Sequence, residues 1–356
     1  MNLEKLISAL PANIDGILID SAENRRYFTG FPSSAGLLIA TKKGSVFITD
    51  SRYIEAAKNK IDCCEVLEQK KPDIQLPEIA AKLSCKSLAI EARRTTLASA
   101  RKFEKYLRDV VIVDDDTADK LIDEIRIEKN AEEIDRIKKA QLIAEKAFDY
   151  ILNYIKTGIT ERDIALELDY FMLKNGAEAL SFETIVASGV DSAMPHAVPS
   201  NKVIAHGDFI TMDFGAVIDG YHSDMTRTIA VGKVSEKQKL VYNTVLTAQL
   251  ASLKILAPGL TCKVADLAAR EVINNAGFGS NFGHGTGHGV GIEIHEEPAL
   301  SPSGEKTLEA GHVVTVEPGI YLPGEFGVRI EDMAVITING CENLTHSPKE
   351  LIVVSG

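Results

Sequence analysis

Apolar positions along this chain recur in two rhythms, and the change from one to the other divides it. Up to about residue 125, short apolar runs bounded by turn residues alternate with stretches of helical spacing. The runs are Gly16-Ile17-Leu18-Ile19, Gly36-Leu37-Leu38-Ile39-Ala40, Val46-Phe47-Ile48, Ser87-Leu88-Ala89-Ile90 and Val110-Val111-Ile112-Val113, and Ala98 to Leu107 is one of the helical stretches between them. Runs of this length between breakers read as strands, so the pattern predicts a small α/β domain. The charged segment Asp123 to Asn130 marks its predicted end, with domains at 1–127 and 128–356.

Beyond it the spacing becomes helical over a long stretch. Asn130 stands at an N-cap position with Glu133 three residues on, and Ile134, Ile137, Ala144, Phe148, Ile151 and Ile155 recur on one face until Gly158. That is a capping box followed by an amphipathic helix. Thr160 opens a second helix that ends at Asn175-Gly176, and strand-like segments with a hairpin around Asp219-Gly220 follow. The same plan then returns: a capping box of Ser235 and Gln238, a helix to Pro258-Gly259, another to about Gly277, and a hairpin around Pro323-Gly324. Residue-level spacing repeats too. Gly207 precedes Asp213 by six positions and Gly215 by eight, as Gly311 precedes Glu317 and Gly319. Each half has a histidine upstream, His196 and His295, and a second acid beyond its hairpin, Asp224 and Glu331. Two related halves, each donating an acid pair, predict a shared site on their axis.

Composition narrows the partners. The chain has 356 residues, 45% of them apolar, enough for two ordinary globular cores. Its net charge of −12 disfavours nucleic acid and anionic membrane as partners. No apolar run is long enough for a signal peptide or a membrane span, and the five cysteines show no C-x-x-C pairing. They read as reduced thiols, so a cytoplasmic location is expected. All eight histidines lie at or beyond His196, which assigns any histidine chemistry to the C-terminal part.

Four carboxylates and one histidine there, Asp213, Asp224, His288, Glu317 and Glu331, form a hard, oxygen-rich donor set of the kind that holds divalent cations. Asp213 and Asp224 are eleven apart across a two-residue turn, an odd separation that keeps both on one face of an antiparallel pair. Such acids repel unless a cation lies between them. The ordinary alternative, a solvated strand face, fits poorly because Ile210, Met212 and Phe214 surround Asp213. Gly283-His284-Gly285-Thr286-Gly287-His288-Gly289-Val290-Gly291 has glycine at alternate positions, which permits close backbone approach beside a site. It matches neither G-x-G-x-x-G nor a P-loop, and His295-Glu296-Glu297-Pro298-Ala299 is not H-E-x-x-H. Asp332, His206, His222, His312 and His346 read as structural or exposed groups rather than ligands.

Together Met212-Asp213-Phe214-Gly215, Ser223-Asp224-Met225-Thr226-Arg227-Thr228, Gly287-His288-Gly289-Val290-Gly291, His295-Glu296-Glu297-Pro298, Glu317-Pro318-Gly319 and Arg329-Ile330-Glu331-Asp332 resemble the pita-bread metallopeptidases of family M24, in their Xaa-Pro dipeptidase (prolidase) and aminopeptidase P branch. Arg26-Tyr27-Phe28-Thr29-Gly30-Phe31 and Thr49-Asp50-Ser51-Arg52-Tyr53 look like the creatinase/prolidase-type N-terminal domain, which minimal methionine aminopeptidases lack. The resemblance implies an α+β fold, a pita-bread catalytic domain preceded by a smaller α/β domain, and a homodimer. It implies two divalent ions per subunit, Mn²⁺ or Co²⁺ with Zn²⁺ as a further option. Asp213 would chelate one ion, His288 and Glu317 the other, and Asp224 and Glu331 would bridge them. His196, His284 and His295 match the active-site histidines, and Arg329 an arginine that orients the bridging glutamate. The implied substrate is a proline-containing di- or oligopeptide, with Glu317 as proton shuttle and His196 and His295 as hydrogen-bond donors to the carbonyl or oxyanion. Aminopeptidase P is the alternative on longer peptides. A methionine aminopeptidase, and a metal-free binding protein related to creatinase, are expected to have lost features that this chain keeps.

Overall fold

The computed structural model describes residues 2–355. Contacts divide the chain between Arg126 and Ile127 into two units, each with its own core.

The first unit carries strands β1 (Gly16–Ile19), β2 (Leu37–Thr41), β3 (Gly44–Thr49), β4 (Glu65–Glu68), β5 (Ser87–Ile90) and β6 (Val111–Val113) in one sheet of order β4-β3-β2-β1-β5-β6. Helices α1 (Asn2–Ala9), α2 (Ala22–Thr29), α3 (Ile54–Lys60), α4 (Pro72–Lys82), α5 (Leu97–Tyr106) and α6 (Thr117–Arg126) connect and cover it. Leu18, Ile39, Ile48, Leu88 and Ile90 pack against Leu76, Ile79, Phe103 and Leu107. The five apolar runs are all strands, and one strand escaped the pattern. β4 reads Glu65-Val66-Leu67-Glu68 and pairs only with β3. An edge strand with charged ends and half-buried middle residues has no apolar signature to show.

The second unit opens with α7 (Ala131–Ile151), capped by the reciprocal Asn130/Glu133 box, and α8 (Glu161–Lys174), capped by Thr160. α7 ends seven residues before Gly158, in a run of turns through which Ile155 still reaches the core. Then come β7 (Ala179–Leu180), β8 (Ile185–Ser188), β9 (Phe209–Phe214), β10 (Ala216–Ile218), β11 (Tyr221–His222) and β12 (Met225–Val231). The plan repeats with α9 (Glu236–Ile255), capped by the Ser235/Gln238 box, and α10 (Cys262–Asn275). Strands β13 (Gly287–Gly289), β14 (Glu296–Leu300), β15 (Val313–Val316), β16 (Gly319–Leu322), β17 (Phe326–Arg329), β18 (Asp332–Thr337), β19 (Gly340–Asn343) and β20 (Val353–Val354) complete it. The unit is the α+β pita-bread arrangement.

Strand period decides which residues meet the helices. On β9, Ile210, Met212 and Phe214 join Ala144, Phe148, Ile164 and Leu168 of α7 and α8. Thr211 and Asp213 therefore face the other way. In the second half Val314, Val316, Ala334 and Ile336 pack with Cys262 and Ala265 of α10, which turns Thr315 and Glu317 away from the helices. Asp213 and Glu317 thus both stand on the face opposite these helix contacts.

The candidate metal centre

Both hairpins bring their acids back on the inward face. Asp219 (φ 49°) and Gly220 (φ 85°) form the tight turn joining β10 to β11, two successive left-handed residues as this turn requires. β9 pairs with β12 so that Asp213 faces Thr226. In the second hairpin Val316 faces Asp332 and Gly319 faces Arg329, so that the same register sets Glu317 opposite Glu331. The two second acids are therefore not equivalent by register, contrary to the simple repeat. Thr226 occupies in the first half the place that Glu331 holds in the second.

Three of the five expected ligands form one tight group: single donor atoms of Asp224, His288 and Glu331 all lie within 4.8 Å of one another. Glu317 adjoins them, its Oε1 3.3 Å from His288 Nε2, while Asp224 Oδ2 is 3.5 Å from the same nitrogen. Asp213 stands on the far side, with Oδ2 accepting from Arg329 Nη2 at 2.6 Å. All five border one cavity of about 450 Å³, together with His196, His284, His295 and Arg329.

Protonation follows from burial. Desolvation first, then Glu331 and the other acids, raise the Asp224 pKa well above the carboxylate range. Glu331 is raised well above it in the same way, by burial and then by Glu317 and Asp213. Burial also pushes Glu317 up to about 7. Desolvation lowers the His288 pKa, so its ring is neutral. His288 Nδ1 lies 3.0 Å from Gly289 O, a contact only an N–H satisfies, which leaves a lone pair on Nε2 aimed at two carboxylates. Electron-rich atoms face one another here, and in the metal-free protein only the raised carboxyls can supply a proton between them. Asp213 Oδ1 and Glu331 Oε1 are likewise buried without a hydrogen-bond partner. Unpaired donors of this type in one cage are what a divalent cation requires, and the residues fit it.

Several groups that hold the cage have no sequence signature. Thr226 Oγ1 accepts from Arg329 Nε at 3.0 Å and donates to Glu331 Oε2 at 2.7 Å. Arg329 thus reaches Glu331, which it is expected to orient, only through Thr226, and its direct carboxylate partner is Asp213. Thr315 Oγ1 accepts from the His288 backbone N–H and donates to Glu317 Oε1. Tyr321 was also missed. Its hydroxyl accepts from Arg329 Nη1 at 3.0 Å and lies 3.0 Å from His284 Nε2. His284 Nδ1 is 2.8 Å from Gly285 O, so both ring nitrogens of His284 are engaged within the protein. His196 and His295 make no hydrogen bond through their rings to a described residue and remain open to the cavity. Asp332 is a structural group, as expected, accepting from buried Arg227 and from Lys349.

A buried, oxygen-rich cation cage, built where two related halves meet and open to a peptide-sized cleft, defines a metal-dependent hydrolase. Residues 135–338 match the model of metallopeptidase family M24 and residues 3–128 that of the creatinase/prolidase N-terminal domain, and the chain belongs to metallopeptidase family M24. It is 40% identical to the Xaa-Pro dipeptidase of Pyrococcus furiosus, over 98% of this chain and 99% of that one. A solved Xaa-Pro dipeptidase from Bacillus anthracis superposes with TM-score 0.95 at 43% identity, covering 99% of both chains. An X-Pro aminopeptidase structure from Thermotoga maritima does so with TM-score 0.91 at 40% identity, covering 99% of this chain and 100% of that one.

Proposed function

We propose that the protein hydrolyses Xaa-Pro peptide bonds with two divalent cations, acting foremost on dipeptides. The observation that carries this reading is the neutral His288 Nε2 facing Asp224 and Glu317 beside the orphaned oxygens of Asp213 and Glu331. Four carboxylates against the one Arg329 guanidinium leave a negative charge that a single divalent cation does not cover. Asp213, Asp224, His288, Glu317 and Glu331 would hold the pair, and oxygen donors suit Mn²⁺ or Co²⁺. Bound there, the cations would polarise the scissile carbonyl and acidify the attacking water. Glu317 would carry the proton from that water to the leaving nitrogen. His196 and His295, whose rings are uncommitted, would donate to the carbonyl oxygen as negative charge develops on it. His284, bound at both nitrogens, would position Tyr321 and Arg329 instead of touching substrate. An Xaa-Pro bond has no N–H for a strand-like cleft to grip, so recognition of the ring by shape suits this cavity. A cytoplasmic homodimer accords with this reading.

One observation favours the aminopeptidase alternative. Arg329 is the only arginine or lysine among the described residues lining the cavity, and its Nε, Nη1 and Nη2 are all spent on Thr226, Tyr321, Pro195 O and Asp213. A free C-terminal carboxylate beside the proline finds no uncommitted fixed cation in that lining, whereas a longer peptide needs none. The test is hydrolysis of Ala-Pro against Ala-Pro-Ala, with Met-Ala-Ser as control, under Mn²⁺, Co²⁺ and Zn²⁺. Cleavage of the dipeptide alone supports the first reading; cleavage of the tripeptide alone reverses the order. Glu317→Ala and Asp224→Ala are expected to abolish turnover, and near-wild-type activity of either metal-loaded variant refutes the site.

A further inference from the structure

Among the buried cations outside the chemistry described so far, Lys129 lies in the same unit as the cavity. The Lys129 side chain is 1% exposed, and its Nζ sits 2.5 Å from Oε1 of Glu296, itself 8% exposed. Its backbone N–H donates to Gly311 O at 2.9 Å, and Nζ also reaches Ile127 O at 3.3 Å. Neither Lys129 nor Glu296 lines the catalytic cavity. Burying such a pair is costly and adds little net stability, so its use is sought in what it holds in place.

Glu296 directly follows His295 and begins β14. Its carboxylate is pressed against the backbone across the loop: a Cβ on Gly291 would lie 2.2 Å from Glu296 Oε1. The Glu293 N–H points at Oε2 from 3.5 Å, and the Gly291 N–H donates to Glu293 O at 3.0 Å. Residues 291–296 are thus closed upon Glu296, and Glu296 is closed upon Lys129. The same stretch joins β13, which carries His288, to His295, and the two rings meet edge to face with centroids 4.4 Å apart. His312 supplies no competing charge. Burial, then the Lys129 charge, push its pKa down to about 4, and its Nδ1 accepts from the Glu309 N–H at 3.2 Å.

We propose that Lys129, acting through Glu296, is a positioning residue for His295: the ion pair sets the loop that presents the uncommitted imidazole to the cavity. This rests on the reading of His295 as a donor to substrate. The ring itself is exposed and makes no hydrogen bond to a described residue, so the loop, with the edge contact to His288, fixes where it stands.

The informative variant replaces both charges. Lys129→Met alone strands a buried carboxylate and threatens folding, whereas Lys129→Met with Glu296→Gln leaves a neutral pair of similar volume. In the metal-loaded protein this double variant is expected to keep KM within about threefold while kcat falls at least about tenfold. The ring signals of His295 in a ¹⁵N-histidine NMR spectrum are expected to shift or broaden, with bound metal content unchanged. A kcat within about twofold of wild type, with His295 signals in place, overturns the proposal. If the double variant melts too low to assay, Glu296→Gln alone, which keeps the shape and lowers the charge, is expected to show the same kcat loss and His295 shift in smaller measure; their absence overturns the proposal equally. His295→Asn is measured alongside. Full activity of that variant removes the reading of His295 itself, whereas a crippled His295→Asn beside an active double variant removes only the role of Lys129.

Discussion

Thr226 shows how much of the centre rests on a single hydroxyl. It stands at the position equivalent to Glu331 in the other half, and it bridges Arg329 and that glutamate. Groups that orient metal ligands are worth about 10–100-fold in metal affinity or activity. Thr226→Val keeps the volume and deletes both bonds, and we expect a loss of that order, read as metal retained after dialysis and as kcat. An unchanged metal content would mean that Glu331 is held by other contacts. The acids and histidines of this network were legible in the chain because few other uses explain carboxylates among apolar neighbours. Thr226, Thr315 and Tyr321 were not, because a threonine on a strand and a tyrosine in a hairpin are ordinary there. What distinguishes them is a hydroxyl within 3.2 Å of a ligand or of its arginine.

At the level of elements, β13 is the least ordinary strand, three residues of which two are glycine. Alternate glycines predict close backbone approach, and the strand shows what approaches. A Cβ on Gly287 would lie 2.0 Å from Thr315 O of β15, and one on Gly289 would lie 2.2 Å from Glu297 O of β14. Backbone cannot yield as a flexible side chain does, so the strand must move if the glycine is replaced. Gly287→Ala is expected to destabilise the protein by about 1–3 kcal/mol and to carry His288 away from Asp224 and Glu317. A lower melting temperature together with weaker Mn²⁺ binding would bear this out; unchanged binding would show that β13 can shift without displacing its histidine. Element boundaries were legible where a cap or breaker marked them, as at Asn130, Thr160 and Ser235. They failed where burial alone decided: α7 gives way to turns before Gly158, and β4 is held only by pairing with β3.

For the whole molecule, the centre links stability to pH and to metal. In the metal-free protein Asp224, Glu317 and Glu331 have pKa values raised above their unfolded values, Glu317 to about 7. A raised carboxylate pKa means that the folded state holds protons more tightly, so its contribution to stability is complete at low pH and disappears as pH rises through the folded pKa. His284 and His288, with lowered values, act in the opposite sense only on the acid side, where unfolded histidines gain their charge. Above about pH 6.5, where unfolded histidines are largely uncharged, the raised carboxylates are left to act alone, and metal-stripped protein should lose melting temperature as pH rises through about 7 and beyond. Bound cations stabilise the ionised acids and the native state together, so excess Mn²⁺ should raise the melting temperature and flatten its pH dependence. A metal-free protein whose stability rises over the same interval would contradict the charge balance described for the cage.

Much of this molecule was determined by local chemistry that the chain carries openly. Apolar rhythm and caps specify the helices, strand period turns Asp213 and Glu317 away from the core, and these acids stand out in the chain among apolar neighbours. Convergence is a different matter. Asp213 and Asp224 belong to one hairpin, Glu317 and Glu331 to another, and His288 to a strand between them; only the folding of two halves against each other brings them to one cavity. Tertiary structure alone decided that Arg329 grips Asp213, that Tyr321 engages His284, and that Glu331 is held through Thr226. A hydrogen bond depends on a few tenths of an ångström between residues as much as 116 positions apart, and no periodicity encodes that distance.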